Sequence, residues 1–144
     1  MVVDVLRATT VIPAGLAAGA TAFFPTTTVD EARALRQRMH SALLCGERDG
    51  IAPAGFDLGN SPLEYTSDRV RGRDLVFTST NGASALLRLR GARQIVTAAF
   101  VNAGAVARAI VSREEDVLLV ASGKAGRSCL EDTAGCGSVG GRSW

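Results

Sequence analysis

Histidine and lysine are nearly missing from this 144-residue chain: His40 and Lys124 are each the sole residue of their type. Three cysteines (Cys45, Cys129 and Cys136) form no Cys-x-x-Cys pair. One histidine and three scattered thiols argue against a zinc site, and an odd cysteine count argues against a disulfide framework. Reduced thiols fit the cytoplasm. No apolar run approaches the roughly 20 residues of a membrane span, and no charged leader precedes an apolar signal region. Net charge is only +2, with no stretch of five or six basic residues, so nucleic acid is not an expected partner. The Gly-x4-Gly-Lys-Ser/Thr spacing is absent too. Ser122-Gly-Lys-Ala-Gly-Arg127 resembles a phosphate loop only loosely, which excludes a Walker nucleotide site.

What remains is an ordinary globular composition, 47% hydrophobic and 21% charged. It suits one domain with a substantial core. Val2 to Thr10 begins as an apolar, β-branched strand and ends in Asp4, Arg7, Thr9 and Thr10. Thr10 is placed to cap a helix through Ala20, with Pro13 in its first turn. Strands are expected at Thr21–Pro25, Ala42–Cys45, Asp74–Thr78, Gln94–Ala98 and Asp116–Ala121. Helices lie between them: one opens on the capping box Thr28-Val-Asp-Glu31, one covers Ala83–Leu89, and one is capped by Asn102 and runs through Val111. Asp49 to Tyr65 is a long irregular stretch, uncommon in a compact domain unless it has work to do.

This alternation predicts an α/β fold, three layers α/β/α around a mostly parallel or mixed sheet. In such sheets the ligand crevice lies at the carboxyl ends of the strands. Polar clusters fall there: Asp4 to Thr10, Gly46 to Arg48, Thr78 to Asn81, Asn102, and Ser122 to Ser128. Asp4, Glu47, Asp57, Glu131 and Asp132 offer the oxygen ligands that magnesium takes. Arg7 and Arg48 offer planar forks for phosphate or sulfonate. Helix caps and surface ion pairs, Arg7 with Asp4 and Arg48 with Glu47, explain the same residues. Cys45 reads as a buried apolar residue and His40 as uninvolved. The Gly-rich stretch Gly135 to Trp144 does not read as a packed element, because four glycines make helix continuation costly. Residues 1–134 form the expected domain and 135–144 a tail. The first strand starts at residue 2, so further chain is expected upstream.

Taken together, Val3-Asp-Val-Leu-Arg-Ala-Thr-Thr10, Gly46-Glu-Arg48, Gly55-Phe-Asp-Leu-Gly-Asn-Ser-Pro62, Thr80-Asn-Gly82, Asn102 and Leu130-Glu-Asp-Thr133 resemble the 2-phosphosulfolactate phosphatase family in order and approximate spacing. Ser79 stands where a threonine is expected and Ala83 replaces another. The family's pattern continues beyond Thr133, which this chain does not follow. The resemblance implies a cytoplasmic, Mg2+-dependent hydrolase. Its reaction cleaves phosphate from 2-phospho-3-sulfolactate for coenzyme M or related sulfonate metabolism. It implies Asp4, Arg7, Glu47, Arg48 and Asp132 as catalytic residues, with metal held by Asp4 and Glu47 or Asp132. It also implies substrate contacts from Thr9, Thr10, Asn60, Ser61, Ser79, Asn81, Asn102 and Gly123. A truncated relative that binds anions without turnover is the alternative, and a homo-oligomer covering an open sheet edge is a further expectation.

Overall fold

The computed structural model describes residues 1–113 and 115–140. Six helices and two three-stranded, all-parallel sheets make up the α/β/α arrangement. In chain order the elements are β1 (Val2–Val3), α1 (Ala8–Ala17), β2 (Ala22–Thr26), α2 (Val29–Arg38), β3 (Leu43–Gly46), α3 (Ser67–Val70), β4 (Asp74–Thr78), α4 (Gly82–Arg88), β5 (Thr97–Ala98), α5 (Ala103–Val111), β6 (Val120–Ala121) and α6 (Leu130–Gly140). One sheet runs β5-β1-β6, the other β2-β4-β3.

Strand β4 shows how the second sheet is held. Leu75, Val76 and Phe77 are all fully buried. Alternation sends Leu75 and Phe77 to the face covered by Ala8 and Val11 of α1 and Val70 of α3. Val76 goes to the opposite face, under Ala32, Leu35 and Met39. A parallel strand sandwiched this way needs apolar residues at every position, which is what Leu-Val-Phe supplies. The helix on that second face starts where the sequence says it should: the Thr28 hydroxyl accepts from Glu31 N–H, and the Glu31 carboxylate accepts from Thr28 N–H. Gly46 ends β3 at φ +119°, and a Cβ there would stand 1.8 Å from the Thr78 carbonyl oxygen.

The first sheet is shorter. β1 pairs with β5 and β6 only at Val2 and Val3. Those two valines are fully buried, and Val3 and Val5 share a core with Ala98, Ala103, Val106 and Val139. Helix α4 packs against both β1 and β2, and α1 packs against β5 and α4, so these helices join the halves.

Several boundaries differ from expectation. Helix α1 starts at Ala8, so Thr10 lies inside it, with its hydroxyl donating to the Val5 carbonyl at 2.7 Å. Asp4 takes over the cap: its side chain accepts from Ala8 N–H at 3.3 Å and its carbonyl from Thr9 N–H. Pro13 therefore falls within the helix rather than in its first turn. Of the fifth and sixth expected strands only Thr97–Ala98 and Val120–Ala121 are paired, because β1 offers just two ladder positions. Helix α6 runs on to Gly140 through the supposed tail, and Val139 is buried. The glycines are what let it pack: a Cβ at Gly135 would come within 2.8 Å of both Val3 and Val5. The rest of that tail, 141–144, lies outside the described residues.

Candidate active site

A pocket of about 460 Å3 opens at the carboxyl ends of β1, β3, β4 and β6. The loop after each strand contributes to its wall. Asp4, Leu6 and Arg7 follow β1; Glu47, Asp49 and Gly50 follow β3; Thr80 and Asn81 follow β4; and Gly123 and Lys124 follow β6. Asn60 enters from the 49–65 stretch, while Glu131 and Asp132 enter from α6. That long stretch is tied down as well as irregular. Leu58 bridges to Cys45 in parallel register, and the Asp57 carboxylate accepts from Leu44 N–H at 2.8 Å. Asp57 thus braces β3 and does not line the pocket.

Two of the carboxylates act as loop staples. Glu47 accepts from Thr80 N–H on one oxygen (2.7 Å) and from Gly50 N–H (2.7 Å) and the Thr80 hydroxyl (3.1 Å) on the other. Asp132 accepts from Val5 N–H and from Gly123 N–H, one on each oxygen and both at 2.9 Å. Each joins two loops that belong to different strands. Both side chains are nearly buried, and charge-assisted bonds to backbone amides are what make such burial tolerable.

Asp4 is different. It is 7% exposed, and the 3.3 Å bond from Ala8 N–H is its only backbone partner. Burial, and then the like charges of Asp132 and Glu47, push its carboxyl up to about 6, with the Ala8 bond opposing. The Asn60 side-chain oxygen lining the same pocket is also buried and lacks a hydrogen-bond partner, and the residue is only 6% exposed. An under-satisfied carboxylate and an orphaned amide oxygen in one pocket form a hard-oxygen donor set.

The cations are not spent on the acids. Among the described residues the ion pairs are Arg33–Asp30 and Arg93–Glu115, so neither Arg7–Asp4 nor Arg48–Glu47 is formed. Arg7 makes one long bond, 3.4 Å, to the Gly50 carbonyl and is otherwise open to the pocket. Arg48 does not line it. Its guanidinium is held by the Thr78 hydroxyl, the Glu47 carbonyl and the Thr27 carbonyl, a clamp across the ends of β2, β3 and β4.

The other expected substrate contacts divide the same way. Asn81 and Gly123 line the pocket with Asn60. Thr9 is fully buried, accepting from Asp4 N–H and donating to the Ala98 carbonyl, so it joins β1 to β5. Ser79 is buried and its hydroxyl accepts from Ala83 N–H, capping α4. Asn102 accepts from Ala99 N–H and donates to the Thr97 carbonyl, which shapes the turn after β5. Ser61 donates its N–H to Glu64 at 3.3 Å, and Thr10 is held by Val5. Ser61, Thr10 and Asn102 do not line the pocket. Cys45 is buried, and desolvation pushes its thiol up to about 12, which suits a core residue. Lys124 was missed by the sequence reading. Its visible signal is a unique lysine in the run Gly123-Lys-Ala-Gly126 that follows a strand.

Fold and pocket together define an α/β protein whose strand-end loops gather acids, amide donors and unpaired cations around one opening. The sequence model of the family described as 2-phosphosulpholactate phosphatase matches residues 1–142. The chain is 45% identical over 139 residues to the "Probable 2-phosphosulfolactate phosphatase" of Thermotoga petrophila, covering 96% of this chain and 60% of that protein. Proteins of the same name from Carboxydothermus hydrogenoformans (45% identical; 96% and 58% covered) and Deinococcus radiodurans (44%; 96% and 59%) match similarly. The chain belongs to the 2-phosphosulfolactate phosphatase family, and it spans about 60% of the length of these relatives. The match through residue 142 takes in most of the Gly-rich tail along with the domain.

Proposed function

We propose that this pocket hydrolyses the phosphate monoester of 2-phospho-3-sulfolactate, releasing 3-sulfolactate and phosphate. The observation that carries the reading is Asp4: a buried carboxylate met only by one long backbone bond and the Ser122 hydroxyl, in a pocket where its two acidic neighbours are fully engaged. The family and the names of its relatives support the substrate.

The residues present fit magnesium. Five acids line the pocket against two bases, so a doubly anionic ester would meet net repulsion without a cation. Among the described residues no three His, Cys, Asp or Glu side chains form a ready metal cluster. Magnesium does not need one, since it commonly takes one or two carboxylates and keeps its waters. Asp4 and the Asn60 oxygen would hold it, with Glu47 and Asp132 contributing negative charge from the walls. When bound, the ion supplies charge neutralisation at the phosphoryl oxygens. Arg7 offers a guanidinium to the non-bridging oxygens, and the Glu47 and Asp132 staples keep the loops in place while the substrate is held. In a cytoplasmic setting the product would enter sulfonate metabolism, of which coenzyme M synthesis is one branch.

The test is phosphate release from 2-phospho-3-sulfolactate with and without magnesium. Release that needs magnesium and falls ~100-fold or more in Asp4→Asn is expected. Sulfolactate binding with no release would leave the chain an anion-binding relative without turnover and would sink the catalytic reading.

A further inference from the structure

Lys124 sits on a tightly specified turn. Gly123, Ala125 and Gly126 have φ of +69°, +50° and +76°, so the chain curls left-handed on both sides of it. Lys124 N–H donates to the Arg127 carbonyl at 2.9 Å, and Arg127 N–H returns to the Lys124 carbonyl at 3.0 Å. The turn is anchored outside itself as well. Gly123 N–H is held by Asp132, and Ala125 N–H donates to the Asn81 side-chain oxygen at 3.3 Å. A Cβ at Gly123 would meet the Arg127 carbonyl oxygen at 2.3 Å, so the backbone has no slack there.

The side chain is the opposite. Lys124 lines the pocket, yet no hydrogen bond or ion pair engages its ammonium among the described residues. Glu47 and Asp132 are occupied by backbone amides, which leaves the lysine available. The pocket therefore holds two unpaired cations on separate loops: Arg7 after β1, beside Asp4, and Lys124 after β6. Set on separate loops, the two can each meet a different anionic group of one substrate. We propose that Lys124 reads the second anionic group of the substrate, a sulfonate or carboxylate, while Arg7 and the Asp4 side of the pocket take the phosphoryl group.

This inference rests on the proposed phosphatase reading and assigns the determinant of its substrate class. An ammonium is a point charge on a flexible stem, not a planar fork. It selects for the presence of a second charge and tolerates either tetrahedral or planar geometry. Phosphate monoesters with a second anion are thus the class, and neutral-tailed monoesters are disfavoured.

The experiment measures binding of 3-sulfolactate and of inorganic phosphate by calorimetry, in magnesium buffer, to the 144-residue chain and to its Lys124→Gln and Lys124→Arg variants. Lys124→Gln is expected to weaken sulfolactate about tenfold or more, because one charge-assisted contact is lost. Phosphate binding should change by less than about twofold, and Lys124→Arg should restore most of the sulfolactate affinity. Equal weakening of both probes would reduce Lys124 to general attraction and overturn the assignment. No weakening, or a parent chain that binds neither probe, would overturn it too. Thermal melts of the variants separate lost binding from lost folding. If phosphosulfolactate is not hydrolysed but the selective loss appears, the phosphatase reading fails and Lys124 keeps its role. If hydrolysis occurs with KM unchanged in Lys124→Gln, the assignment to Lys124 fails alone.

Discussion

The half of the molecule built on β4 and the half built on β1 solve different problems. Around β4 the strands are four or five residues long, paired along their length and apolar on both faces. Around β1 the ladder is two residues long, and Val117, Leu118 and Leu119, just before β6, are exposed, with only the Leu118 carbonyl joined to β1's side through the Met1 amino group at 2.7 Å. Yet the ionisable groups of the pocket come mostly from the second half: Asp4, Arg7, Lys124, Glu131 and Asp132. The β4 half lends Glu47, Asp49, Asn60, Thr80 and Asn81. Stability is concentrated in one half and charge in the other.

Breaking the β4 half should have the largest effect. Gly46→Ala puts a methyl 1.8 Å from the Thr78 oxygen at a φ of +119°. We expect a loss of about 4 kcal/mol in urea unfolding, or no folded protein. A midpoint near the parent's would mean that the junction of β3 and β4 does not carry the fold. Asp132→Asn tests the other half. One amide oxygen must then serve Val5 N–H and Gly123 N–H, which now have one each. The expected cost is about 2 kcal/mol. Hydrogen exchange should quicken at those two amides while Val76 and Phe77 stay protected, and uniform loss of protection would remove the distinction between the halves.

Asp4→Asn should act in the opposite direction. The folded carboxyl is raised from 3.8 to about 6, so the folded state holds this proton more tightly than the unfolded chain does. That stabilisation is complete below about pH 4 and is lost as pH rises through 6. In chelator at pH 7.5 the Asn variant should therefore be more stable than the parent by up to about 2 kcal/mol, and the gap should close near pH 3.5. A pH-independent difference would mean that Asp4 titrates normally.

The sequence reading followed the same division. Asp74–Thr78 is legible to the residue, β2 and β3 within one, and the start of α2 at its capping box, because apolar runs and a capping box are local signals that burial on two faces reinforces. In the β1 half, Gln94–Val96 and Asp116–Leu119 have strand-like composition but each meets the β1 segment through a single backbone bond, the Val96 carbonyl from Val2 N–H and the Leu118 carbonyl from the Met1 amino group. A helix opening at Ser128–Glu131 is legible in the sequence, but its continuation to Gly140 is not, because glycine opposes a helix intrinsically and the close packing of Gly135 on Val3 and Val5 is a tertiary contact. In the site, acids at strand ends were legible, and Asp4, Glu47, Asp132, Asn60 and Asn81 all reach the pocket. The direction in which a side chain points was not legible. Arg48, Ser79 and Asn102 sit at strand ends too, but their hydrogen bonds turn inward to the scaffold.

Glu47 and Asp132 have a consequence for how such a pocket could diversify. Its outline is set by two carboxylates held by backbone amides and, for Glu47, the Thr80 hydroxyl as well, whereas its cations touch almost nothing. Form and preference are therefore written in separate residues. Exchanging Lys124 or Arg7 would retune what is accepted and leave the architecture intact, while exchanging either staple would alter the opening itself.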